Sequence, residues 1–82
     1  MAEFTLLGTD ACHLCEEAES LLLQAGLNFI KLDIINHESL QPLYALRIPV
    51  VLHIPSGLEL SWPFAFEQLE TFIDSIDSSS ES

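Results

Sequence analysis

Residues 3–26 read EFTLLGTDACHLCEEAESLLLQAG, and this stretch decides the fold. Glu3 to Gly8 is a run of β-favouring residues closed by glycine, which reads as a strand. Thr9-Asp10-Ala11 follows as a loop. From Cys12 or His13 to Ala25, the apolar residues Leu14, Ala18, Leu21, Leu22 and Ala25 return at helical spacing, with Leu23 off the stripe. Glu16, Glu17 and Glu19 fall in the first two turns, where the positive end of the helix dipole favours acids. Gly26 closes the helix as a C-terminal cap.

Working outward, Asn28 to Ile34 alternates, with Phe29, Lys31 and Asp33 on one face and Ile30, Leu32 and Ile34 on the other. That pattern predicts a second strand, parallel to the first through a right-handed crossover. Asn36 to Glu38 reads as a turn. Ser39 is placed to cap a short helix over Leu40 to Leu46, with Pro42 in its tolerated first turn. Val50 to Ile54 is a β-branched strand. Pro55-Ser56-Gly57 is a tight turn, and Leu58 to Trp62 returns antiparallel until Pro63 stops it. Phe66, Leu69, Phe72, Ile73 and Ile76 then stripe a last helix over Phe64 to Ile76. Residues 77–82, DSSSES, read as a frayed, flexible acidic tail. The order β-α-β-α-β-β-α predicts one α/β domain over residues 1–76. Its four-stranded mixed sheet carries helices on both faces.

Composition narrows the function. The chain has 82 residues, room for one domain, and 49% of them are hydrophobic, enough for a core. Thirteen acids face two cations, Lys31 and Arg47, for a net charge of −11. A groove that tracks phosphates needs many cations, so nucleic acid is excluded as a partner, and an anionic membrane surface is disfavoured. The longest apolar run, Leu43 to Leu46, is far too short to span a bilayer. Met1-Ala2-Glu3-Phe4 lacks the basic start of a signal peptide. A cytoplasmic monomer is the expectation, and in that compartment two cysteines are not a passive staple by default.

Those cysteines form Cys12-His13-Leu14-Cys15, where the first strand hands over to the first helix. A Cys-x-x-Cys beside a βαβ pattern reads as a dithiol redox site. The helix start offers unpaired N–H groups and positive potential that stabilise a Cys12 thiolate. Cys15, three residues on, lies one turn away on the same face, near enough to attack a mixed disulfide at Cys12. Cys12 is therefore the expected nucleophile and Cys15 the buried resolving thiol. Ile48-Pro49 opens the third strand and removes one ladder N–H there.

These residues resemble the glutaredoxin branch of the thioredoxin fold over about residues 3–76. The strand, CHLC and helix match that family's strand, CxxC and helix. Arg47-Ile48-Pro49-Val50 matches its segment ending in a cis-proline before the third strand. The resemblance implies that Pro49 is cis and that the Ile48 carbonyl and amide turn outward to pair with a substrate beside Cys12. Its departures bear on the substrate. Glutaredoxins commonly carry CPYC, a lysine just before it and a Gly-Gly-acid before the last helix, the latter two for glutathione. This chain has CHLC, Gly8-Thr9-Asp10-Ala11 and Ser61-Trp62-Pro63-Phe64 instead. Glutathione enters as an external reductant at most, with no bound cofactor or metal expected.

Other readings stand beside the dithiol one. His13 is a candidate to tune Cys12 or a plain exposed histidine. Arg47 is a candidate contact for a substrate carboxylate or a surface arginine paired with an acid. Glu16 is a candidate proton acceptor for Cys15. Trp62 and Phe64 are read as core, His53 and Lys31 as ordinary strand positions. The expected partner is a protein or small-molecule disulfide or thiol. Two alternatives use the same fold: a non-catalytic acidic binding module, or a carrier of a metal or iron–sulfur cluster.

Overall fold

Alternation along a single strand divides the core in two. Leu6 and Leu7 are neighbours in that strand, and both are buried, on opposite faces of a sheet. The computed structural model describes residues 3–10 and 12–80. Its elements are β1 (Phe4–Gly8), α1 (His13–Gln24), β2 (Phe29–Asp33), a 3-10 turn (Ile34–Asn36), α2 (Gln41–Tyr44), β3 (Val50–His53), β4 (Glu59–Ser61) and α3 (Phe66–Ser80). The sheet order is β2-β1-β3-β4. β1 pairs parallel with β2, from Phe4 opposite Phe29 to Gly8 opposite Asp33. It pairs antiparallel with β3, and β3 pairs antiparallel with β4. This is the mixed four-stranded α/β architecture expected from the element order.

Register then sorts the side chains. Leu6 sits opposite Val51, and both join Ala18, Leu22, Phe64 and Leu69 in the core under α1 and α3. Leu7 sits opposite Val50, and both join Ile34 and Tyr44 under the 3-10 turn and α2. Each leucine fully removed from water contributes roughly 1.5–3 kcal/mol, so the two faces together fix β1 as the rigid centre of the sheet. Trp62 packs on the first core and meets Phe64 edge-on at 5.1 Å, as core aromatics.

Several boundaries differ from the sequence reading. Leu14 is 43% exposed, because the buried stripe of α1 runs through Cys15, Ala18 and Leu22 instead. β2 ends early: the Asp33 carboxylate accepts the Ile35 N–H at 2.9 Å and turns the chain into the 3-10 turn. Ser39 does not cap α2. Leu40 holds that position with no side-chain cap, and its carbonyl accepts the Leu43 and Tyr44 N–H groups. α2 is short because Arg47 and Ile48 both donate back to the Tyr44 carbonyl, closing the chain ahead of Pro49. α3 starts two residues later than expected and runs to Ser80. Ser82 and Glu81 lie outside the described residues, as do Met1, Ala2 and the loop residue Ala11.

Candidate active site

Strand β1 delivers the chain to the start of α1, and both cysteines sit at that junction. Cys12 is the N-cap residue of α1, with extended backbone, and its Sγ accepts the Cys15 backbone N–H at 3.1 Å. A sulfur thus does the work usually done by an N-cap oxygen, satisfying one of the orphan donors of the first turn. The Cys12 carbonyl accepts the Glu16 N–H at 3.2 Å. Cys12 and Cys15 are joined as a disulfide across a Cα–Cα distance of 5.2 Å. Cys15 is 9% exposed, whereas Cys12 is only partly buried. The accessible sulfur therefore holds the hydrogen bond that favours a thiolate, and the covered sulfur lies behind it.

Gly8 makes this arrangement possible. A Cβ built on it would stand 2.8 Å from Cys15 Sγ and 3.3 Å from Cys15 Cβ. The glycine is needed for close approach, since its backbone angle is not in the left-handed region. Register places Pro49 on the other side: Leu7 is opposite Val50, so the next residue pair brings Pro49 alongside Gly8. Pro49 is fully buried, and the Ile48–Pro49 bond is cis, as the resemblance implied; Trp62–Pro63 is cis as well. The Pro49 carbonyl accepts the Trp62 N–H at 2.9 Å. One expectation is corrected here. The Ile48 N–H is not turned out for a substrate; it donates to the Tyr44 carbonyl at 3.0 Å.

On the β2 side of the disulfide lies a cavity of about 190 Å³, walled by Cys12, Cys15, Gly8, Thr9, Asp10, Glu16, Glu19, Lys31, Leu32 and Asp33, with Leu6 at its base. Lys31 Nζ is held by Glu19 at 3.4 Å across it. Lys31 is thus a wall residue of the site, not an ordinary strand position. The pairing of Gly8 with Asp33 across two parallel strands creates this wall, and no local pattern in the sequence marks it.

The remaining candidates are placed apart. His13 is 84% exposed at the helix start, with Nδ1 and Nε2 each 3.9 Å from Glu16 and Glu17. Arg47 donates to Glu59 at 2.7 Å and to Ser61 Oγ at 2.9 Å, and its guanidinium stands 5.2 Å from the centre of the Tyr44 ring. The Tyr44 hydroxyl donates to the other Glu59 oxygen. That hydrogen bond holds the Glu59 carboxyl below its ordinary pKa, with the Arg47 hydrogen bond adding to it, and it pushes the Tyr44 hydroxyl up. This three-residue tie between α2 and β4 escaped the sequence reading, because its members meet only through the sheet. His53 holds its expected strand position in β3 and is 5% exposed, with Nδ1 2.7 Å from Ser56 Oγ and Nε2 3.4 Å from Glu3. Among the described residues, no three His, Cys, Asp or Glu side chains are grouped to hold a metal ion.

Comparison with known proteins agrees with this fold. Residues 3–74 match the model of the Glutaredoxin-like domain (DUF836). The X-ray structure of the structural-genomics target protein XcR50 from X. campestris superposes with a TM-score of 0.82 at 38% identity, covering 88% of this chain and 96% of that one. Its solution structure gives 0.79 at 39% identity, over 92% and 95%. Protein Ne2328 from Nitrosomonas europaea gives 0.68 at 27% identity, over 85% and 88%. No curated protein matches the chain.

Proposed function

The chain belongs to the glutaredoxin-like domain family, and we propose that it is a thiol–disulfide oxidoreductase. One observation carries this reading: the accessible Cys12 sulfur caps a helix and accepts the Cys15 N–H, with the covered Cys15 sulfur bonded to it. In the reduced protein the same N–H and the helix dipole stabilise a Cys12 thiolate. That thiolate attacks a substrate disulfide. One substrate thiolate leaves and takes up a proton, and a mixed disulfide remains on Cys12. Cys15 then loses its proton and attacks the Cys12 sulfur. The second substrate thiol leaves, the substrate has gained two electrons, and the protein holds the Cys12–Cys15 disulfide. An external thiol, glutathione or a dithiol, restores the reduced form. The cis Ile48–Pro49 segment flanks the substrate on one side of the sulfurs through the Ile48 backbone, with the Pro49 ring buried behind it. His13 is exposed at the start of α1, and Arg47 is engaged as a brace through Glu59.

The experiment is a pair of variants mixed with a disulfide-bonded peptide. Cys15→Ser accumulates a mixed disulfide at Cys12, visible by intact mass. Cys12→Ser forms none. Equal trapping by both variants, or by neither, refutes the assignment of roles.

A further inference from the structure

We propose that Glu59 is a positioning residue for peptide substrates: through Arg47 and Tyr44 it sets where the Ile48–Pro49 segment stands beside the sulfurs. The inference rests on the oxidoreductase reading and names the substrates that feel this tie. Ile48 lies in a stretch, residues 44–50, that is held at both ends. At its start, the Arg47 and Ile48 N–H groups both donate to the Tyr44 carbonyl, at 2.8 and 3.0 Å. At its end, the Pro49 carbonyl accepts the Trp62 N–H at 2.9 Å, and Val50 pairs with Ser61. The end is thus fixed to β4 by backbone, and the start by side chains. The Arg47 guanidinium donates to one Glu59 oxygen at 2.7 Å and to Ser61 Oγ at 2.9 Å, and the Tyr44 hydroxyl donates to the other Glu59 oxygen. One half-buried carboxylate on an edge strand therefore receives both of these residues, on the same strand that holds Pro49. Helix α2, which carries Tyr44, has four residues and no side-chain cap, so it cannot fix its own end. Register sets Pro49 alongside Gly8, and Gly8 lies against the Cys15 sulfur. A shift of residues 47 and 48 moves the Ile48 backbone relative to the sulfurs, which β1 and α1 hold in place. A peptide disulfide runs along that backbone and feels the shift. A small disulfide without peptide groups meets the sulfurs alone.

The test is the single-turnover rate constant of prereduced protein with two disulfides: a disulfide-bonded peptide with uncharged flanks, and 2-hydroxyethyl disulfide, which has no peptide groups. The readout is the ratio of the two rates. A loss of folded protein, or a change in the Cys12 thiolate, lowers both rates alike and cancels. Glu59→Ala should lower the ratio about tenfold, within the roughly hundredfold that a misplacement of 1 Å can cost, with the small-disulfide rate within about twofold of wild type. Glu59→Gln restores most of the ratio, since its amide oxygen accepts from Arg47 and its amide NH₂ donates to the Tyr44 oxygen. Tyr44→Phe keeps the ring in the core and removes one of the two ties, so it lowers the ratio by about threefold. Glu70→Ala, the same loss of charge at an exposed position on α3, leaves the ratio unchanged. An unchanged ratio in Glu59→Ala, or an equal fall in both rates, overturns the positioning role. Glu59→Gln losing as much as Glu59→Ala overturns it too, because charge and not contact is then responsible. Should Glu59→Ala fail to fold, Tyr44→Phe decides, and an unchanged ratio there overturns the proposal. Wild-type protein inert towards both disulfides overturns the oxidoreductase reading itself, an outcome distinct from all of these.

Discussion

Replacing Gly8 by alanine tests the packing that holds the site together. The added methyl would stand 2.8 Å from Cys15 Sγ, whereas ordinary contact begins at 3.4 Å, a shortfall of 0.6 Å (3.4 − 2.8). Neither partner yields easily. Gly8 belongs to the central strand, paired with β2 and lying beside β3, and Cys15 is buried in the first turn of α1. Overpacking at such a site costs about 1–3 kcal/mol. Reduced freedom of the unfolded chain returns about 0.4–1 kcal/mol, so the net effect is destabilising. The cost differs between redox states. In the reduced protein the Cys15 sulfur can turn to another staggered position away from the methyl. In the disulfide it is held by Cys12. Oxidised Gly8→Ala should therefore melt lower than oxidised wild type, by about 4–8 °C for each kcal/mol lost, with a smaller deficit when both are reduced. The same bias makes the variant more oxidising, by about 30 mV for each 1.4 kcal/mol of difference. The assay is four thermal melts, each protein oxidised and reduced. An oxidised variant as stable as wild type refutes the close approach of Gly8 and Cys15.

Other consequences follow from the brace and the core. Glu59 binds a proton less readily folded than unfolded, because Tyr44 and Arg47 hydrogen-bond its carboxylate. Its contribution is full above the ordinary pKa of 4.5 and is lost as pH falls through the lower folded value, so the urea midpoint should fall more steeply below pH 4.5 for wild type than for Glu59→Gln. Equal pH slopes for the two proteins contradict the brace. Tyr44→Phe removes one charge-assisted hydrogen bond and should cost about 1.5–3 kcal/mol in the same assay near neutral pH, less if water reaches Glu59; no measurable cost counts against the contact. Leu22→Ala empties a fully buried position between α1 and the sheet and should cost about 2–5 kcal/mol by urea unfolding, whereas a loss below about 1 kcal/mol means the site is not packed as described.

The strand–CHLC–helix junction was legible because every signal there is local: a glycine ends the strand, a cysteine caps the helix, and three residues carry the chain one turn to the second cysteine. The core faces were not read from the sequence: alternation separates neighbours within a strand, but only the antiparallel register of β1 and β3 sets Leu6 with Val51 on one side and Leu7 with Val50 on the other. What was hidden depends on elements meeting at a distance. Lys31 reads as a strand residue until parallel pairing sets Asp33 beside Gly8 and builds a cavity wall from both strands. Arg47 reads either as a contact for a substrate carboxylate or as an arginine paired with one of many acids, and only the β3–β4 pairing brings Glu59 and Ser61 within its reach. Ser39 has the chemistry of a cap, but the Leu40 N–H closes a turn onto the His37 carbonyl and the helix starts from Leu40, while back-bonding to Tyr44 ends it early. Helix α3 runs to Ser80, past the last residue of its apolar stripe, Ile76.

The central claim is a reversible dithiol–disulfide couple made by Cys12 and Cys15. The most direct measurement is the intact mass of wild-type protein equilibrated across a series of glutathione redox buffers and then quenched with an alkylating agent. The account expects both thiols to disappear together over one narrow range of poise, with loss of two hydrogens and no lasting adduct. Two thiols that stay alkylatable throughout, or that react with glutathione independently, contradict it.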